Sequence, residues 1–440
     1  MSRLKYFLAA AAVVVLAAVL SLLLVLGDGA RREPLDEKIS ASLSLSTGES
    51  SSPVEQEEGK EKNETEMRAV WLSFYDWKTF TTGKDLEGFR EAFSHICDNV
   101  AAFGLNTLIV QVRAFDDAMY PSQYFPWSQY ASGVLGQAPN YDPLEQMVEI
   151  AHQKGLAIHA WINPYRIRSG EGLPLIEGYS AAIWQAEGNG YVLSYQEGLY
   201  YNPAVPQVQQ LILSGVKEIL DRYSVDGIHF DDYFYPTADP SFDEAFYLSY
   251  QQQGGALSQM EWREENVNQL IRSVYALVQE DGKGRVFGIS PAGNLDYNRS
   301  TLSADVALWC SEEGYVDYIC PQLYFGFENS AVPFAQSVDR WSRLVTAKGV
   351  ALYIGLGPYK IGALDKWAGE GQQEWLEADD LLARQLQCIR QLPNCNGFAL
   401  FRYASLFYPE SSVEKAVEQE KQHFFEALCA ASNSNHAMSS

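Results

Sequence analysis

Residues 225–236 read Val225-Asp226-Gly227-Ile228-His229-Phe230-Asp231-Asp232-Tyr233-Phe234-Tyr235-Pro236, an apolar strand that ends in two carboxylates, three aromatic rings and a proline. Strand side chains alternate between faces, so His229, Asp231 and Tyr233 are predicted to share one face, opposite Asp232. An acid at the tip of a buried strand is costly to desolvate unless something pairs with it or uses it. In one strand alone, such an acid usually only caps a turn. Whether it has a function has to be inferred from the ends of the neighbouring strands.

Seven further strands of this kind surround the first, and helical patterns separate them. The strands are residues 68–73, 106–113, 156–163, 286–290, 316–324, 351–356 and 397–402, and the helical patterns include 86–103, 143–153, 206–223, 262–279, 334–347 and 379–392. Eight strands alternating with helices predict an α/β fold, a closed (β/α)8 TIM barrel. A doubly wound open sheet is the alternative. It is disfavoured because no glycine-rich phosphate fingerprint follows the first strand.

Polar side chains replace apolar ones where several of these strands end. They are Gln111, Arg113, His159, Asn163, His229, Asp231, Gln322 and Arg402, and the loops that follow add Asp76, Asp116, Asp117, Arg166, Asp232 and Glu328. Aromatic residues cluster in the same loops. In a barrel the carboxyl ends of all strands meet at one face, where active sites lie. The sequence therefore predicts a polar cleft with aromatic walls at that face.

Acidic groups beside aromatic faces suit a sugar, since ring faces stack on aromatic side chains while polar groups read the hydroxyls. Glycoside hydrolysis needs two carboxyl groups in different protonation states. We expect Asp231 to be the nucleophile or base and Asp117, after the second strand, to be its acid partner. Asp232 completes the predicted catalytic set by orienting the sugar beside Asp231. The predicted substrate-binding set is Gln111, Arg113, His159, Asn163, Arg166, His229 and Gln322, with Trp161, Tyr165, Tyr233 and Tyr324 as stacking surfaces, although Trp161 fits the barrel core equally well.

Two other functions fit the same residues. A metal-dependent hydrolase or deacetylase would use His159 and His229 with Asp231, but the six cysteines form no CxxC pair and the first strand has no His-x-His. Hydrogen-bonding histidines in a polar barrel mouth are the preferred interpretation, so no metal or cofactor is expected. A barrel that binds cell-wall glycan without cleaving it is the remaining alternative.

The N-terminal residues predict an exported protein. Arg3 and Lys5 precede an apolar run, Tyr6–Leu26, of about the length that spans a bilayer. The predicted organisation is a signal anchor over residues 1–26, a disordered Ser- and Glu-rich linker over 27–66, the barrel over 67–429 and a flexible tail over 430–440. A cleaved secretion signal is the alternative. The net charge of −24 argues against nucleic acid as a partner.

Several motifs resemble the glycosyl-hydrolase-like family 10, in order along most of the barrel. They are Arg68-Ala69-Val70-Trp71-Leu72, Gln111-Val112-Arg113, Asp117 through Ser122, Tyr141-Asp142-Pro143-Leu144, His159 through Arg166, Asp226 through Pro236, and Pro321-Gln322-Leu323-Tyr324. The resemblance implies a TIM-barrel glycoside hydrolase of the bacterial cell envelope. That family includes an enzyme that cleaves peptidoglycan glycan strands stripped of their stem peptides. Functional roles for Asp231, Asp232, Asp117 and Arg166 follow from the resemblance.

The 225–236 stretch is also similar to the Asp-Gly-x-Asp-x-Asp-x-Glu strand of the chitinase-like family. Here His229 and Tyr233 occupy the positions of the second aspartate and the glutamate. The acid on which that family depends is therefore absent, although Asp231 keeps its place. This departure argues against the substrate-assisted mechanism of chitinases.

Overall fold

A computed structural model describes residues 66–170 and 173–437, with side chains to residue 430. The predicted signal anchor and nearly all of the predicted linker lie outside the described residues. Among the helices that are described, none is long and apolar enough to cross a membrane. The six cysteines are free thiols, and Cys97, Cys310 and Cys320 are buried.

The strands are β1 Met67–Leu72, β2 Thr107–Arg113, β3 Ala157–Ile162, β4 Arg166–Arg168, β5 Val192–Tyr195, β6 Gly198–Tyr201, β7 Gly227–Phe230, β8 Val286–Ile289, β9 Tyr318–Ile319, β10 Ala351–Leu356 and β11 Cys395–Leu400. Eight of those described strands close into a barrel in the order β1-β2-β3-β7-β8-β9-β10-β11. All pairs are parallel, and β11 returns to β1. The predicted (β/α)8 barrel is confirmed.

The helices are α1 Phe74–Thr81, α2 Leu86–Ala102, α3 Gln129–Ser132, α4 Pro143–Gln153, α5 Ser180–Glu187, α6 Pro206–Arg222, α7 Glu244–Gln252, α8 Gln259–Glu280, α9 Leu295–Ser300, α10 Val306–Ser311, α11 Phe334–Leu344, α12 Glu374–Glu377, α13 Leu381–Ile389, α14 Tyr403–Phe407 and α15 Glu414–Ala437. Short 3-10 turns cover Pro240–Phe242, Pro358–Lys360 and Gly369–Gln373. Helix α15 continues to Ala437 and so covers most of residues 430–440, the segment predicted to be a flexible tail.

Two strands are shorter than their sequence patterns predict. The sixth barrel strand, β9, keeps regular pairing only at Tyr318 and Ile319, because Pro321 has no N–H to donate to the ladder. Pairing resumes as isolated bridges from Gln322 to both neighbouring strands. The strand β7 ends at Phe230, so Asp231 and Asp232 lie in the turn that follows it and outside the paired strand.

An antiparallel sheet of β4, β6 and β5 follows β3, in a region for which the sequence predicts no strands. Its hairpin joins Tyr195 to Gly198 through two residues, of which Gln196 has a φ of 51°. That turn lacks the Asn-Gly or Asp-Gly pair that marks such hairpins in a sequence. The sheet matters for function because its first strand carries Arg166, which pairs with Tyr200.

The barrel interior is filled by side chains that contact one another from opposite strands. A buried cluster joins Trp71, Ile109, Trp161, Tyr318 and Ala399, among others. A second, larger cluster lies between the strands and the helices. Aromatic residues occupy much of the interior, and this leaves little room for side chains on the facing strands. Glycine at position 288 of β8 is a consequence of this crowding.

Replacing Gly288 by alanine is expected to destabilise the barrel by about 1–3 kcal/mol or more, since overpacking a closed core forces backbone shifts. A Cβ at Gly288 would overlap the ring of Tyr318, which is 2% exposed. The matched control is Gly349→Ala, because a Cβ there meets nothing within 4 Å. Urea unfolding of the two variants measures the difference, and equal midpoints would contradict the packing argument.

Candidate active site

The two aspartates of the 225–236 stretch lie in a turn beyond the strand. Because β7 ends at Phe230, both aspartates lie beyond the paired strand, where the alternation of faces does not fix their directions. The backbone N–H of Tyr233 donates to Asp231 Oδ1 at 3.2 Å, and the N–H of Phe234 donates to the carbonyl of Asp232 at 3.0 Å. The turn keeps both carboxyls at the mouth of the barrel.

Asp231 is 2% exposed, and Trp161 Nε1 donates to its Oδ2 at 2.9 Å. Burial raises the pKa of Asp231 to about 7, and the neighbouring charge of Asp232 adds to the rise, while the guanidinium of Arg166 opposes it. A carboxyl with this pKa is protonated and ionised in comparable amounts at neutral pH. Such a group can donate or accept a proton during a reaction.

Asp232 is less buried than Asp231 and has a different partner. The side chain of Gln322 hydrogen-bonds to Asp232, and its Nε2 also donates to the carbonyl of Ser290 at 2.8 Å. Burial raises the pKa of Asp232 too, while the Gln322 hydrogen bond opposes that rise. Two adjacent carboxyls in unequal environments are what acid–base chemistry at neutral pH requires.

Two further polar residues lie beside this pair. Asn163 directly follows β3, and Arg166 is the first residue of β4. The guanidinium of Arg166 lies 3.9 Å from the ring centre of Tyr233 and 4.7 Å from that of Phe115. Its Nη2 donates to the carbonyl of Ala114 at 3.3 Å, and its backbone N–H donates to Asn163 Oδ1 at 3.1 Å. Tyr233 is 43% exposed, so its ring is available for stacking.

The predicted stacking residues differ in their exposure. Tyr165 is fully buried, and Trp161 is 7% exposed and serves as a hydrogen-bond donor to Asp231. Tyr324 is half-buried and stacks on Phe401, with ring centres 5.5 Å apart. Tyr359 packs edge-on against Tyr324 and is 42% exposed. Tyr233, Tyr324 and Tyr359 therefore form the accessible aromatic surface. Phe401, on which Tyr324 stacks, is not among the residues that the sequence predicts for stacking.

The two histidines lie below the carboxyls, inside the barrel. The Tyr318 hydroxyl is 2.9 Å from His159 Nδ1 and 2.8 Å from His229 Nδ1, and Ser290 Oγ is 2.9 Å from His229 Nε2. Burial lowers the pKa of His159 to about 4 and holds that of His229 well below its usual range, so both are neutral. Within the described residues, no three metal-ligating side chains converge. Both ring nitrogens of His229 have partners in this layer, and the ring packs edge-on against Trp161, which holds Asp231.

Asp117 lies in the loop after β2 and is 4% exposed. Its Oδ1 accepts the backbone N–H of Phe115 at 3.2 Å, and the side chain of Ser128 and the backbone of Ala114 also hydrogen-bond to it. Burial nevertheless raises the pKa of Asp117. With three donors from its own loop, the carboxylate organises that loop and has little capacity left for a substrate.

Asp116 shares a raised pKa of about 7, again because of burial. Its Oδ1 accepts the hydroxyl of Tyr201, so it ties the β2 loop to the small antiparallel sheet. Arg113 lies nearby, over the ring of Phe125 at 3.4 Å and beside Gly215 of α6. Gln111 Oε1 accepts the N–H of Phe74 at 3.1 Å. These residues support the loops of the mouth, and Arg113 is directed away from Asp231.

Asp76 and Arg402 form an ion pair at the seam between β1 and β11, with Nη1 and Oδ1 2.6 Å apart. The other oxygen of Asp76 accepts both the N–H and the hydroxyl of Ser73 at 2.8 Å. Burial raises the pKa of Asp76 despite the nearby guanidinium of Arg402. Asp76 therefore ties β1 to β11 where the barrel closes. Because its oxygens are occupied by Arg402 and Ser73, it is a poor candidate for proton transfer.

Both the sequence and the fold of this chain resemble those of known proteins. Residues 66–375 match the model of the family "Glycosyl hydrolase-like 10". The chain is 33% identical over 369 residues to "Glycosyl hydrolase YngK" of Bacillus subtilis, covering 78% of this chain and 69% of that protein. It is 32% identical over 378 residues to "Glycosyl hydrolase DigH" of Escherichia coli K12, covering 78% of this chain and 84% of that protein.

Solved glycosidase structures share the fold at low sequence identity. The glycoside hydrolase domain of PgaB (BpsB) from Bordetella bronchiseptica aligns with a TM-score of 0.50 and 12% identity, over 81% of this chain and 99% of that one. The catalytic domain of β-amylase from Paenibacillus polymyxa aligns with a TM-score of 0.51 and 11% identity, over 82% and 99%. At these identities the likeness establishes the barrel fold and nothing finer.

Proposed function

Because the chain belongs to the glycosyl hydrolase-like 10 family and is a glycoside hydrolase, we propose that it cleaves a β-linked glycan, the glycan strand of peptidoglycan. In this proposal Asp231 and Asp232 are the catalytic carboxyls. The observation that carries this proposal is the pKa of about 7 for Asp231, beside a second, more exposed carboxyl at the mouth of the barrel. Glycosidases need one protonated and one ionised carboxyl at the scissile bond.

In the proposed mechanism, Asp231 is the general acid that protonates the leaving oxygen. Its burial and the charge of Asp232 both favour the protonated form. Asp232 stays ionised and acts on the sugar as nucleophile or stabilising charge.

The rest of the mouth supports a sugar polymer as substrate. The exposed rings of Tyr233 and Tyr359 offer stacking faces on two different loops, after β7 and after β10. Gln322 and Asn163 supply amide groups that can read hydroxyl or acetamido groups. The apolar run before the barrel supports work at the cell envelope, anchored in the membrane or secreted. No cofactor is needed for this chemistry.

The test of this function is incubation of the full chain with purified peptidoglycan glycan strands, with and without stem peptides, read by mass spectrometry. Released oligosaccharides are expected, and their reducing ends identify the bond that was cleaved. Saturable binding without any released fragment would replace the proposed function with a wall-binding barrel. Loss of acetyl mass without chain cleavage, abolished by a chelator, would instead indicate a metal-dependent deacetylase.

A second variant separates Asp117 from the catalytic pair. Asp117→Asn is expected to lower stability by about 1–3 kcal/mol, since the amide can satisfy fewer of the donors from its loop. Turnover by the folded variant is expected to stay within about tenfold of the parent, because the hydrogen bonds of Asp117 are to its own loop. Thermal unfolding and glycan cleavage measure the two effects. A loss of turnover as large as that of an Asp231 variant would restore Asp117 as the acid.

A further inference from the structure

The loop after β2 contacts strand β4 through three successive residues. The carbonyl of Ala114 accepts a hydrogen bond from Arg166 Nη2 at 3.3 Å, and the ring of Phe115 lies 4.7 Å from the same guanidinium. The backbone N–H of Asp116 donates to the carbonyl of Ile167, the second residue of β4, at 3.2 Å. The loop therefore holds both the backbone of β4 and the side chain of Arg166.

The side chain of Asp116 makes a second connection, to strand β6. Its Oδ1 accepts the hydroxyl of Tyr201, the last residue of that strand. Tyr201 is 1% exposed and Asp116 is 9% exposed, so the bond lies in a medium of low dielectric, where a hydrogen bond is stronger than in water. The backbone N–H of Tyr201 also donates to the carbonyl of Tyr165, directly before β4, at 2.8 Å. One hydroxyl thus joins the β2 loop to the strand that pairs with β4.

The charge that is held in this way acts on the catalytic pair. The guanidinium of Arg166 lowers the pKa of Asp231, whereas burial and the charge of Asp232 raise it. A Coulomb interaction weakens with distance, so the size of this effect depends on where the guanidinium lies. Its contact with the ring of Tyr233 involves a side chain that is 43% exposed. The β2 loop therefore supplies the less exposed neighbours of the guanidinium.

We propose that Asp116 and Tyr201 are positioning residues for the catalytic pair. Their hydrogen bond fixes β4 and so keeps the guanidinium of Arg166 where its charge acts on Asp231. This inference rests on the proposed function and adds to it a control of the general acid from outside the catalytic turn. Asp116 needs no charge for this role, since a carboxyl accepts a hydroxyl in its ionised and in its protonated form. The hydrogen bond therefore persists although burial raises the pKa of Asp116 to about 7.

The titratable and charged groups around the two carboxyls belong to different elements. Those that act on Asp231 are Asp232 in the same turn and Arg166 on β4. Those that act on Asp116 lie on β2, on its loop and on β6, and they are Arg113, Asp117 and Tyr201. Burial raises the pKa of Tyr201 well above its ordinary value, so Tyr201 is uncharged at neutral pH. Removing its hydroxyl therefore breaks the hydrogen bond and changes no charge.

The test is Tyr201→Phe in the full chain, which keeps the ring that packs edge-on against Trp184 at 5.9 Å. The measurement is kcat/KM for the release of fragments from glycan strands, as a function of pH. We expect the alkaline limb to move to higher pH by about half a pH unit or more, because a displaced guanidinium lowers the pKa of Asp231 less. In the double variant with Arg166→Gln, the limb should stay where Arg166→Gln alone puts it, because Tyr201 acts through Arg166.

Two changes at Asp116 separate its hydrogen bond from its charge. Asp116→Ala removes the acceptor and should move the limb as far as Tyr201→Phe does. Asp116→Asn keeps an oxygen that accepts the hydroxyl and should leave the limb in place. Equal movement in Asp116→Asn and Asp116→Ala would show that the charge of Asp116 acts on the acid, and it would overturn the inference.

The matched control is Tyr223→Phe, which removes another hydroxyl that donates to a carboxylate, Asp142 Oδ2, at 2.7 Å. Tyr223 follows the last turn of helix α6, at the opposite face of the barrel from the catalytic pair. This variant should lose a similar amount of thermal stability to Tyr201→Phe and keep the limb in place. If the limb stays in place in Tyr201→Phe as well, the hydrogen bond is only structural and the inference is overturned.

A titration without substrate separates this inference from the proposed function. The carboxyl-carbon NMR resonance of Asp231, assigned from its loss in Asp231→Asn, reports the pKa of Asp231 in the parent and in Tyr201→Phe. A higher pKa in Tyr201→Phe supports the inference even in a protein that cleaves no glycan strand. Equal pKa values in a protein that does cleave the strands would overturn this inference and leave the proposed function standing.

Discussion

Replacing Asp231 by asparagine is expected to lower the turnover of glycan strands by about 10²–10⁴-fold, the contribution typical of a general acid. Asparagine has the same size and can still accept the N–H of Trp161, which lies 2.9 Å from the carboxylate. It cannot donate a proton to the leaving oxygen. The change therefore removes the chemistry and keeps the packing. Initial rates of fragment release from parent and variant measure the effect.

The stability of this variant should change in the direction opposite to its activity. The pKa of Asp231 is about 7 in the folded protein, above its ordinary value of 3.8. The folded state therefore binds the proton more tightly than the unfolded chain, and stability falls as pH rises between these two values. Asparagine carries no charge, so the variant should unfold at a higher temperature than the parent at pH 8. At pH 4 this advantage should disappear.

The control for Asp231→Asn is a change at the other end of the same strand. Asp226 precedes β7, where its Oδ2 accepts the N–H of Ile158 at 2.7 Å. Asp226→Asn should keep turnover and lose about 1.5–3 kcal/mol of stability, the amount for a hydrogen bond to a charged group. Full activity in Asp231→Asn would show that another group is the acid.

Replacing Asp232 by asparagine is expected to lower turnover by about 10²-fold or more and also to shift the pH dependence of the residual activity. The ionised Asp232 disfavours ionisation of its neighbour and so raises the pKa of Asp231. Removing that charge lowers the pKa of Asp231 below about 7. Activity that requires protonated Asp231 should then decline at a lower pH than in the parent.

The profile of kcat/KM against pH tests this coupling in both directions. In the parent, activity should fall as pH rises through about 7, the pKa of Asp231. In Asp232→Asn this alkaline limb should move to lower pH. In Arg166→Gln it should move to higher pH, since the guanidinium lowers the pKa of Asp231. A limb that stays in place in both variants would mean that another group controls the rate.

Much of the fold follows from local pattern. Eight apolar runs alternate with helical periodicities, and each run was long enough to be recognised without knowledge of its neighbours. The helix Pro143–Gln153 has the predicted bounds because Asp142 caps its first turn and proline opens it. The small sheet was missed because its hairpin turn has no characteristic sequence. The membrane anchor, the linker and the cellular location remain predictions.

The candidate site was predicted less completely than the fold. Polar strand ends correctly marked the mouth of the barrel, because parallel strands bring their carboxyl ends to one face. Residue roles did not follow, because both aspartates lie beyond the end of β7 at Phe230, where strand alternation does not fix their directions. Trp161 is predicted either to stack on the sugar or to lie in the barrel core; it lies in the core cluster and donates to Asp231, 70 positions away in sequence. Sequence neighbours carry no information about such a contact.

The sequence by itself determined the barrel, the face on which the site lies, and the presence of two carboxylates there, because periodicity and strand direction are local properties. Only the tertiary structure decided which carboxyls have a raised pKa, Asp231 among them, because a pKa depends on burial and on charges brought in from other strands. It likewise decided that the carboxylate of Asp117 is used by its own loop and that the guanidinium of Arg166 lies against the rings of Tyr233 and Phe115. These properties arise from the distances between residues far apart in the chain.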